Sequence, residues 1–472
     1  MTARMTVQTS EKAAVASGED PGSGPLASRR PGTLVATSLG FAVIQLDVSV
    51  VNVAIKPIGT GLGGGVSGLQ WVVNAYTVAF AALILTAGAW SDRVGARRVF
   101  AGGFGVFTLA SAACGLAPNL AVLIAARGVQ GVGAAILAPS SLSLLNHAFS
   151  EPGERARAVG LWAAGASVAL AGGPLVGGIL TATFGWRAIF FINAPIGLLG
   201  ILLTWRYAAE TTRTRRGIDL PGALTAIACL TVLAGATIEG GAKGFGDPTV
   251  LGGFAIAAAA GVVFLMIEGR RTHPMVPLRL FRAGAFSATT AIGLLVNVVF
   301  YGLIFLFSLF FQRAQQFSAL QTGLAFAPAT AAILAANVLA GAADARFGPR
   351  RVIAVGALLM ATGCATLIGA GTATPYGALV AQLVALGFGL GLVVPAMTAS
   401  LLGSVERSRS GVASGILNTA RQTGSVIGVA LFGSLIAGGQ LVNGLHVALA
   451  ISIVLALTVV GLCVAIPKQS AS

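Results

Sequence analysis

An acid and a cation set deep in apolar sequence are the residues of this chain best placed to do chemistry. Asp47 lies in the apolar run 33–55, about 13 Å from its outer end at ~1.5 Å per helical residue. Arg127 lies at a similar depth from the same face in the run 120–145. An isolated carboxylate in hydrocarbon costs at least ~2.5–3.5 kcal/mol, so it is protonated, paired or facing a wet cavity. Matching depth lets the two side chains associate directly or through water. A carboxyl group whose surroundings change between two conformations can load a proton on one side and release it on the other. Proton coupling requires that property. A static ion pair that only fixes helix packing is the competing reading of the same two residues.

Other candidates are weaker. Arg421, within Asn418-Thr419-Ala420-Arg421-Gln422, is the second deep cation, and either binds an anionic group or bonds neighbouring helix carbonyls. Glu239, His147 and His446 fall near run ends, where contact with water is the default. Cys114, Cys229, Cys364 and Cys463 have no metal spacing and read as packing residues. The run 157–181 carries Gly160, Gly165, Gly172, Gly173, Pro174, Gly177 and Gly178. Pro174 removes a helix hydrogen bond and the glycines permit close approach, so the Gly-Gly-Pro-x-x-Gly-Gly core favours a specialised contact or hinge over a generic packing helix.

These residues are carried by fourteen apolar spans, each about the ~20 residues a helix needs to cross hydrocarbon. They run roughly over 33–55, 68–90, 98–117, 120–145, 157–181, 188–208, 218–238, 249–268, 285–310, 320–343, 351–371, 376–402, 411–437 and 444–466. The 29 basic residues divide sharply between the two sides. The N-terminal tail, the even-to-odd loops and the C-terminal tail hold 23, whereas the opposite loops hold Lys56, Arg187, Lys243 and Arg313. By the positive-inside rule both termini are cytoplasmic, and a miscounted span would have mixed the two sets. Continuous apolar runs select helices over a barrel, whose strands alternate. The fold class is therefore all-α integral membrane protein, in a lipid bilayer.

With 56% hydrophobic and 9% charged residues the chain is no soluble globule. Its net charge of +15 belongs to short loops that set orientation, so no nucleic-acid partner is expected. Residues 1–32 read as a disordered polar tail without the order of a signal peptide, and 467–472 as a second tail. No Lys is followed by Ser or Thr, which excludes a GxxxxGK[ST] nucleotide loop. No loop has room for an ATPase domain. Neither enzyme chemistry nor a cofactor is expected, and energy must come from an ion gradient, the membrane potential or the solute's own gradient. Trp71, Trp90, Trp186 and Trp205 fall at span ends, as interface anchors do.

A weak internal repeat organises the spans. Gly88-Ala-Trp-Ser-Asp92-Arg93-Val-Gly95-Ala-Arg97-Arg98-Val99 closes span 2, and Gly341-Ala-Ala-Asp344-Ala345-Arg346-Phe-Gly348-Pro-Arg350-Arg351-Val352 closes span 10. The spacing superposes apart from the acid, displaced by one residue. Spans 1–6 (33–208) then match spans 9–14 (285–466), and 209–284 is a linker with two inserted spans. Pseudo-symmetric halves around a midplane site are the architecture of alternating-access transporters. Asp92 and the basic cluster would sit at the gate on the cytoplasmic side, with Asp92 able to meet a helix N-terminus such as that near Gly411. A plain stop-transfer charge cluster would need neither Gly88 nor Gly95.

With these motifs in place, the chain resembles the major facilitator superfamily, specifically its fourteen-span drug:proton antiporters, and is most similar to methylenomycin A resistance-type exporters. Leu46-Asp47-Val48-Ser49-Val50-Val51-Asn52-Val53-Ala54 resembles the family's span 1 motif, whose Asp is implicated in coupling. Gly88 to Arg98 resembles the facilitator gate motif, with Asp92, Arg93, Gly95 and Arg97 in place. Arg127-Gly-Val-Gln130-Gly131-Val-Gly133 resembles the span 4 motif whose Arg is implicated in proton transfer, and Gly160 through Gly178 the antiporter motif. Trp186-Arg187-Ala-Ile-Phe190-Phe-Ile-Asn193 and Ala413-Ser414-Gly415-Ile-Leu-Asn418-Thr-Ala-Arg421-Gln422 are typical of the fourteen-span branch. Ala169 stands where the antiporter motif has Gly, and Ala345 replaces the acid of the second gate motif.

The resemblance implies proton-coupled efflux of a small amphiphilic compound, an antibiotic or other drug, from a bacterial plasma membrane by a monomer. Asp47 and Arg127 would form the coupling pair. Asn52, Asn74, Asn297, Tyr301, Phe305 and Arg421 are the candidates to line a central cavity. Export of an endogenous metabolite, proton-coupled nutrient import and, from another class, a non-transporting membrane sensor are the alternatives.

Overall fold

The computed structural model of the protein describes residues 29–213, 219–271, 274–406 and 409–467. Residues 1–28 and 468–472 of the two expected tails lie outside the described residues, as do Arg215, Arg216 and Arg407. The described chain is helical and contains no strand. Its long helices are α1 (Arg30–Leu62), α2 (Val66–Val94), α3 (Ala96–Gly115), α4 (Leu120–Ala148), α5 (Pro152–Phe184), α6 (Ala188–Tyr207) and α7 (Leu220–Lys243). They continue as α8 (Pro248–Arg270), α9 (Gly284–Leu309), α10 (Ala319–Phe347), α11 (Pro349–Leu367), α12 (Gly377–Gly403), α13 (Ser410–Ser434) and α14 (Leu441–Leu462). Each coincides with one expected span. Thirteen are long and apolar enough to cross a membrane by composition alone. The exception is α13, whose Asn418, Thr419, Arg421, Gln422 and Thr423 lower its mean hydropathy although it spans the same bundle.

Helix ends depart from the apolar runs where polar groups still satisfy the backbone. α1 begins at Arg30 and continues through Pro57 to Leu62, two turns past the apolar run. Asp47 is therefore about 22 Å from the end of its helix, at ~1.5 Å per residue, rather than 13 Å. Asn119, Asp247 and Ser318 cap α4, α8 and α10 with side-chain oxygens, and Ser318 forms a reciprocal capping box with Gln321. At its far end α9 widens into a π-helical turn, Phe310–Ala314. There Phe311 packs against the rings of Phe307, Phe317, Phe326 and Tyr376.

Helix pairing recurs with an offset of eight. α1 packs on α4, α5 and α6, as α9 does on α12, α13 and α14. α2 packs on α4 as α10 does on α12, and α3 on α4 and α6 as α11 does on α12 and α14. Two reciprocal contacts join these groups: α5 with α10, and α13 with α2. α7 lies along that seam against both α2 and α13, with α8 packed on it. The two gate turns repeat as well. Gly95 (φ +111°) and Gly348 (φ +76°) each close one helix and open the next in the region that disfavours a Cβ.

The two groups are sealed to each other on the side away from the chain ends. Lys56 Nζ donates to the Gln312 carbonyl at 2.5 Å, and Gln312 Nε2 to the Val53 carbonyl at 3.0 Å. Ser308 Oγ donates to the Asn52 carbonyl. Gln70 Nε2 bridges the Val429 and Ala430 carbonyls at 3.0 and 2.8 Å. A cavity of about 510 Å³ opens on this side beside Val66, Arg313 and Gln440, beyond the seal.

Candidate buried charge pair and its partners

Asp47 and Arg127 meet. Arg127 Nη1 lies 2.5 Å from Asp47 Oδ2, and each side chain is 1% exposed. Gln130 Nε2 (2.8 Å) and Asn193 Nδ2 (3.0 Å) both donate to Asp47 Oδ1. Every contact to Asp47 is thus donated to it, the pattern an ionised carboxylate takes. Arg127 is held from four directions: by Asp47, by Gln130 Oε1 (2.8 Å), by the Val72 carbonyl (3.1 Å from Nε) and by the Tyr76 ring, 4.3 Å from the guanidinium carbon. Asn193 also donates to Ser111 Oγ (3.0 Å), which donates to the Phe190 carbonyl (2.8 Å).

The network therefore spans five helices. α1 supplies the acid, α4 the Arg and its i+3 neighbour Gln130 on the same face, and α6 supplies Asn193. α3 supplies Ser111, and α2 supplies Tyr76 and the Val72 carbonyl. A proton delivered to Asp47 would remove its charge and turn one acceptor oxygen into a donor, against donors already in place from Gln130 and Asn193. Such a change would leave Arg127 without its counter-charge, and an uncompensated member of a buried pair costs about 3–5 kcal/mol.

The glycine-rich segment of α5 supports the acid from behind. A Cβ at Gly173 would collide with the Ser49 side chain, and one at Gly177 would lie 2.9 Å from the Val50 carbonyl, both one turn or less from Asp47. A Cβ at Gly178 would lie 2.8 Å from the Ala319 carbonyl, and one at Gly323 would collide with the Pro174 carbonyl across the α5–α10 contact. Gly160 and Gly172 face open space. The close approach belongs to the Gly173–Gly178 end of the motif only.

At the gate turn the basic residues divide. The Arg97 amide donates to Glu210 Oε1 (3.0 Å), the Ala96 amide to Thr211 Oγ1 (2.9 Å), and Arg98 Nε lies 3.7 Å from Glu210 Oε2. Glu210, in the linker after α6, thereby caps α3 and fills the space a Cβ at Gly95 would need. Arg97 covers Trp205 (4.7 Å) and donates to its carbonyl. Arg93 is exposed, while Asp92 is partly buried and has a partner. Gly88 has only an ordinary contact, 3.5 Å, with Pro139.

The cavity candidates are more buried than the sequence suggests. Asn52, Asn74, Asn297, Tyr301 and Phe305 are all under 5% exposed, because sequence depth does not fix helix rotation. Asn52 and Asn297 turn back onto the Val48 and Gly293 carbonyls of their own helices. Arg421 is only partly buried and forms no hydrogen bond or ion pair among the described residues, so the carbonyl-bonding reading finds no support. Trp186 is no interface anchor: it is 7% exposed, packed against Gly61 and Phe190 and covered by Arg187 at 4.3 Å. Glu239 pairs with Lys243 (3.1 Å), and His446 meets the Ala370 carbonyl (2.9 Å). Gln130 and Asn193 carry no charge and so give no depth signal. Their motifs were visible in the sequence; their place on Asp47 was not.

The Major Facilitator Superfamily model matches residues 37–428 and 289–471. The methylenomycin A resistance protein of Streptomyces coelicolor is 38% identical over 400 residues, spanning 85% of this chain and 84% of that one. The multidrug resistance protein Stp of Mycobacterium tuberculosis is 38% identical over 409 residues, spanning 86% and 75%. A bacterial homologue of the human lysosomal transporter Spinster, solved in an inward-facing, unoccupied conformation, superposes with a TM-score of 0.67 at 18% identity. It covers 96% of this chain and 100% of its own, a likeness that shows the fold. Fourteen membrane helices in repeated pairings, a family match along nearly their whole length and relatives of this identity lead to one conclusion: the chain belongs to the Major Facilitator Superfamily and is a multi-pass transporter of a bacterial plasma membrane, not an enzyme.

Proposed function

We propose that the protein exports a small amphiphilic compound, an antibiotic or similar toxic molecule, in exchange for protons taken up at Asp47. The observation that carries this reading is the Asp47–Arg127 pair, fully enclosed and held by donors from Gln130 and Asn193. Ionisable pairs in a membrane interior are expensive and mark ion pathways more often than they add stability. The relatives support the substrate class, since they are named for methylenomycin A resistance and multidrug resistance.

In this reading residues 33–208 and 285–466 act as the two moving halves, with the α7–α8 insert along one seam. The positive-inside rule places the chain ends in the cytoplasm, so the Lys56–Gln312 and Gln70–α13 contacts close the outer side. Protonation of Asp47 would release Arg127 from its counter-charge while Gln130, the Val72 carbonyl and the Tyr76 ring keep holding it. Ser49 and Val50, next to Asp47 on α1, bear on Gly173 and Gly177, so movement there reaches the α5–α10 contact. The proton gradient is the only energy source the reading requires, and one chain suffices.

Everted membrane vesicles energised to a stable pH gradient test this directly. Adding methylenomycin A, or another member of an antibiotic panel, should dissipate the gradient in wild-type vesicles and leave it intact with Asp47→Asn. Equal dissipation by both proteins would remove Asp47 from coupling. Compound movement that ignores the gradient would make the protein a uniporter.

A further inference from the structure

The interior charges do not balance. Arg127 is neutralised by Asp47, but Arg421, twelve residues into the 25-residue α13, has no acid partner among the described residues. Several acids elsewhere are engaged locally: Glu154 with Arg30, Glu210 with α3, Asp219 with Arg271, Glu239 with Lys243, and Glu406 with Arg409; none of these faces Arg421. A guanidinium near mid-membrane without a counter-charge is costly and presents a donor fork suited to a planar anion. Its stem runs beside Gly293 of α9, where a Cβ would come within 3.5 Å of Arg421 Cγ.

Two buried tyrosines sit on the helices that pack against α13: Tyr301 on α9 and Tyr76 on α2. The Tyr76 hydroxyl is buried and has no hydrogen-bond partner, although its ring lies on Arg127. Arg421 Nε, Ser425 Oγ and both amide atoms of Asn74 are likewise buried and unpaired. Buried polar groups of this kind are rarely left unmatched, and their number on α2 and α13 indicates a missing polar partner. α2 and α13 form one of the two most extensive contacts between the halves.

We propose that Arg421, with the Tyr301 and Tyr76 hydroxyls, binds an ionised carboxylate or similarly acidic group of the transported compound. This rests on the export reading and adds the substrate's charge to it. The compound's anion supplies the counter-charge that Arg421 lacks among the described residues. Tyr76, whose ring lies on Arg127, would then place the proton and substrate sites against one another. An anion leaving against an entering proton also carries net charge in one direction, so export should respond to membrane potential as well as to the pH gradient.

Phenylbutyrate and its neutral amide, phenylbutyramide, form a matched probe pair, with chloride as the inorganic control. Binding is measured to the purified full-length protein in nanodiscs by thermal shift and calorimetry. Wild type should bind the carboxylate at least tenfold more tightly than the amide. Arg421→Gln should remove that preference without changing amide binding, Arg421→Lys should restore part of it, and Tyr301→Phe should reduce it severalfold with unchanged melting temperature. Equal affinity for carboxylate and amide in wild type, or an intact preference in Arg421→Gln and Tyr301→Phe, would overturn the proposal. Chloride stabilising wild type as strongly as phenylbutyrate would also overturn it, in favour of an inorganic anion site. Asp47→Asn separates the two readings, because it should keep the carboxylate preference while losing proton exchange. An Arg421-dependent preference with no pH-driven transport of any compound would sink export and leave the anion site standing.

Discussion

The two halves use the same helix pairings for different chemistry. Around α1 and α4, a carboxylate, a guanidinium, two amides and a hydroxyl are joined by hydrogen bonds with almost no exposure. Around their counterparts α9 and α12, the buried side chains are mostly apolar: Leu379, Leu383, Leu386, Leu390 and Val393 on α12. The one deep charge of that half, Arg421, has no ion-pair partner among the described residues, and its stem runs beside Gly293 of α9. A shared backbone plan therefore does not carry a shared function. The N-terminal half holds a closed circuit, which on the proposed function a proton would open, and the C-terminal half an open one, which a ligand would close.

Breaking the closed circuit should have the largest effect. Arg127→Ala leaves Asp47 buried without its counter-charge and should destabilise the protein by about 3–5 kcal/mol, read as a lower melting temperature, with transport lost. Adding Asp47→Asn to that variant should recover part of the stability but not the proton coupling. If the single variant melts like wild type, the pair is not enclosed as described. Next comes the support behind it. Gly173→Ala forces a methyl against Ser49 and should cost about 1–3 kcal/mol, whereas Gly160→Ala faces open space and should change stability by less than about 0.5 kcal/mol.

Smaller changes sharpen the contrast between the halves. Gln130→Ala and Asn193→Ala each remove one donor from Asp47 and should cost about 1–3 kcal/mol while shifting the pH profile of transport. Asn297→Ala, which breaks only a bond to its own helix, should leave that profile in place. Glu210→Ala removes the α3 cap and should lower stability by about 0.5–2 kcal/mol without touching proton stoichiometry. A change in stoichiometry would mean that the gate turn and the charge pair are one unit.

The membrane itself explains what the sequence reveals. A bilayer forces continuous apolar helices, so fourteen spans and their loops are legible, and a charge inside one of them is conspicuous. Asp47 and Arg127 stood out for that reason. Uncharged partners do not: Gln130 shares a face with Arg127, but Asn193 reaches Asp47 from 146 positions away. Glu210 looks like a solvated linker acid until tertiary structure brings it to α3. Trp186 shows the same limit, since proximity to a span end cannot tell an exposed ring from a buried one. Pro57 did not end α1, and the π-turn of α9 has no signature in the apolar pattern.

The most direct measurement is paired flux in liposomes containing the purified protein, with compound and proton movement recorded together for wild type and Asp47→Asn. Wild type should move protons in fixed proportion to compound. Asp47→Asn should still exchange labelled for unlabelled compound, with no associated proton movement. Proton movement in unchanged proportion through Asp47→Asn would contradict the assignment of coupling to the buried pair.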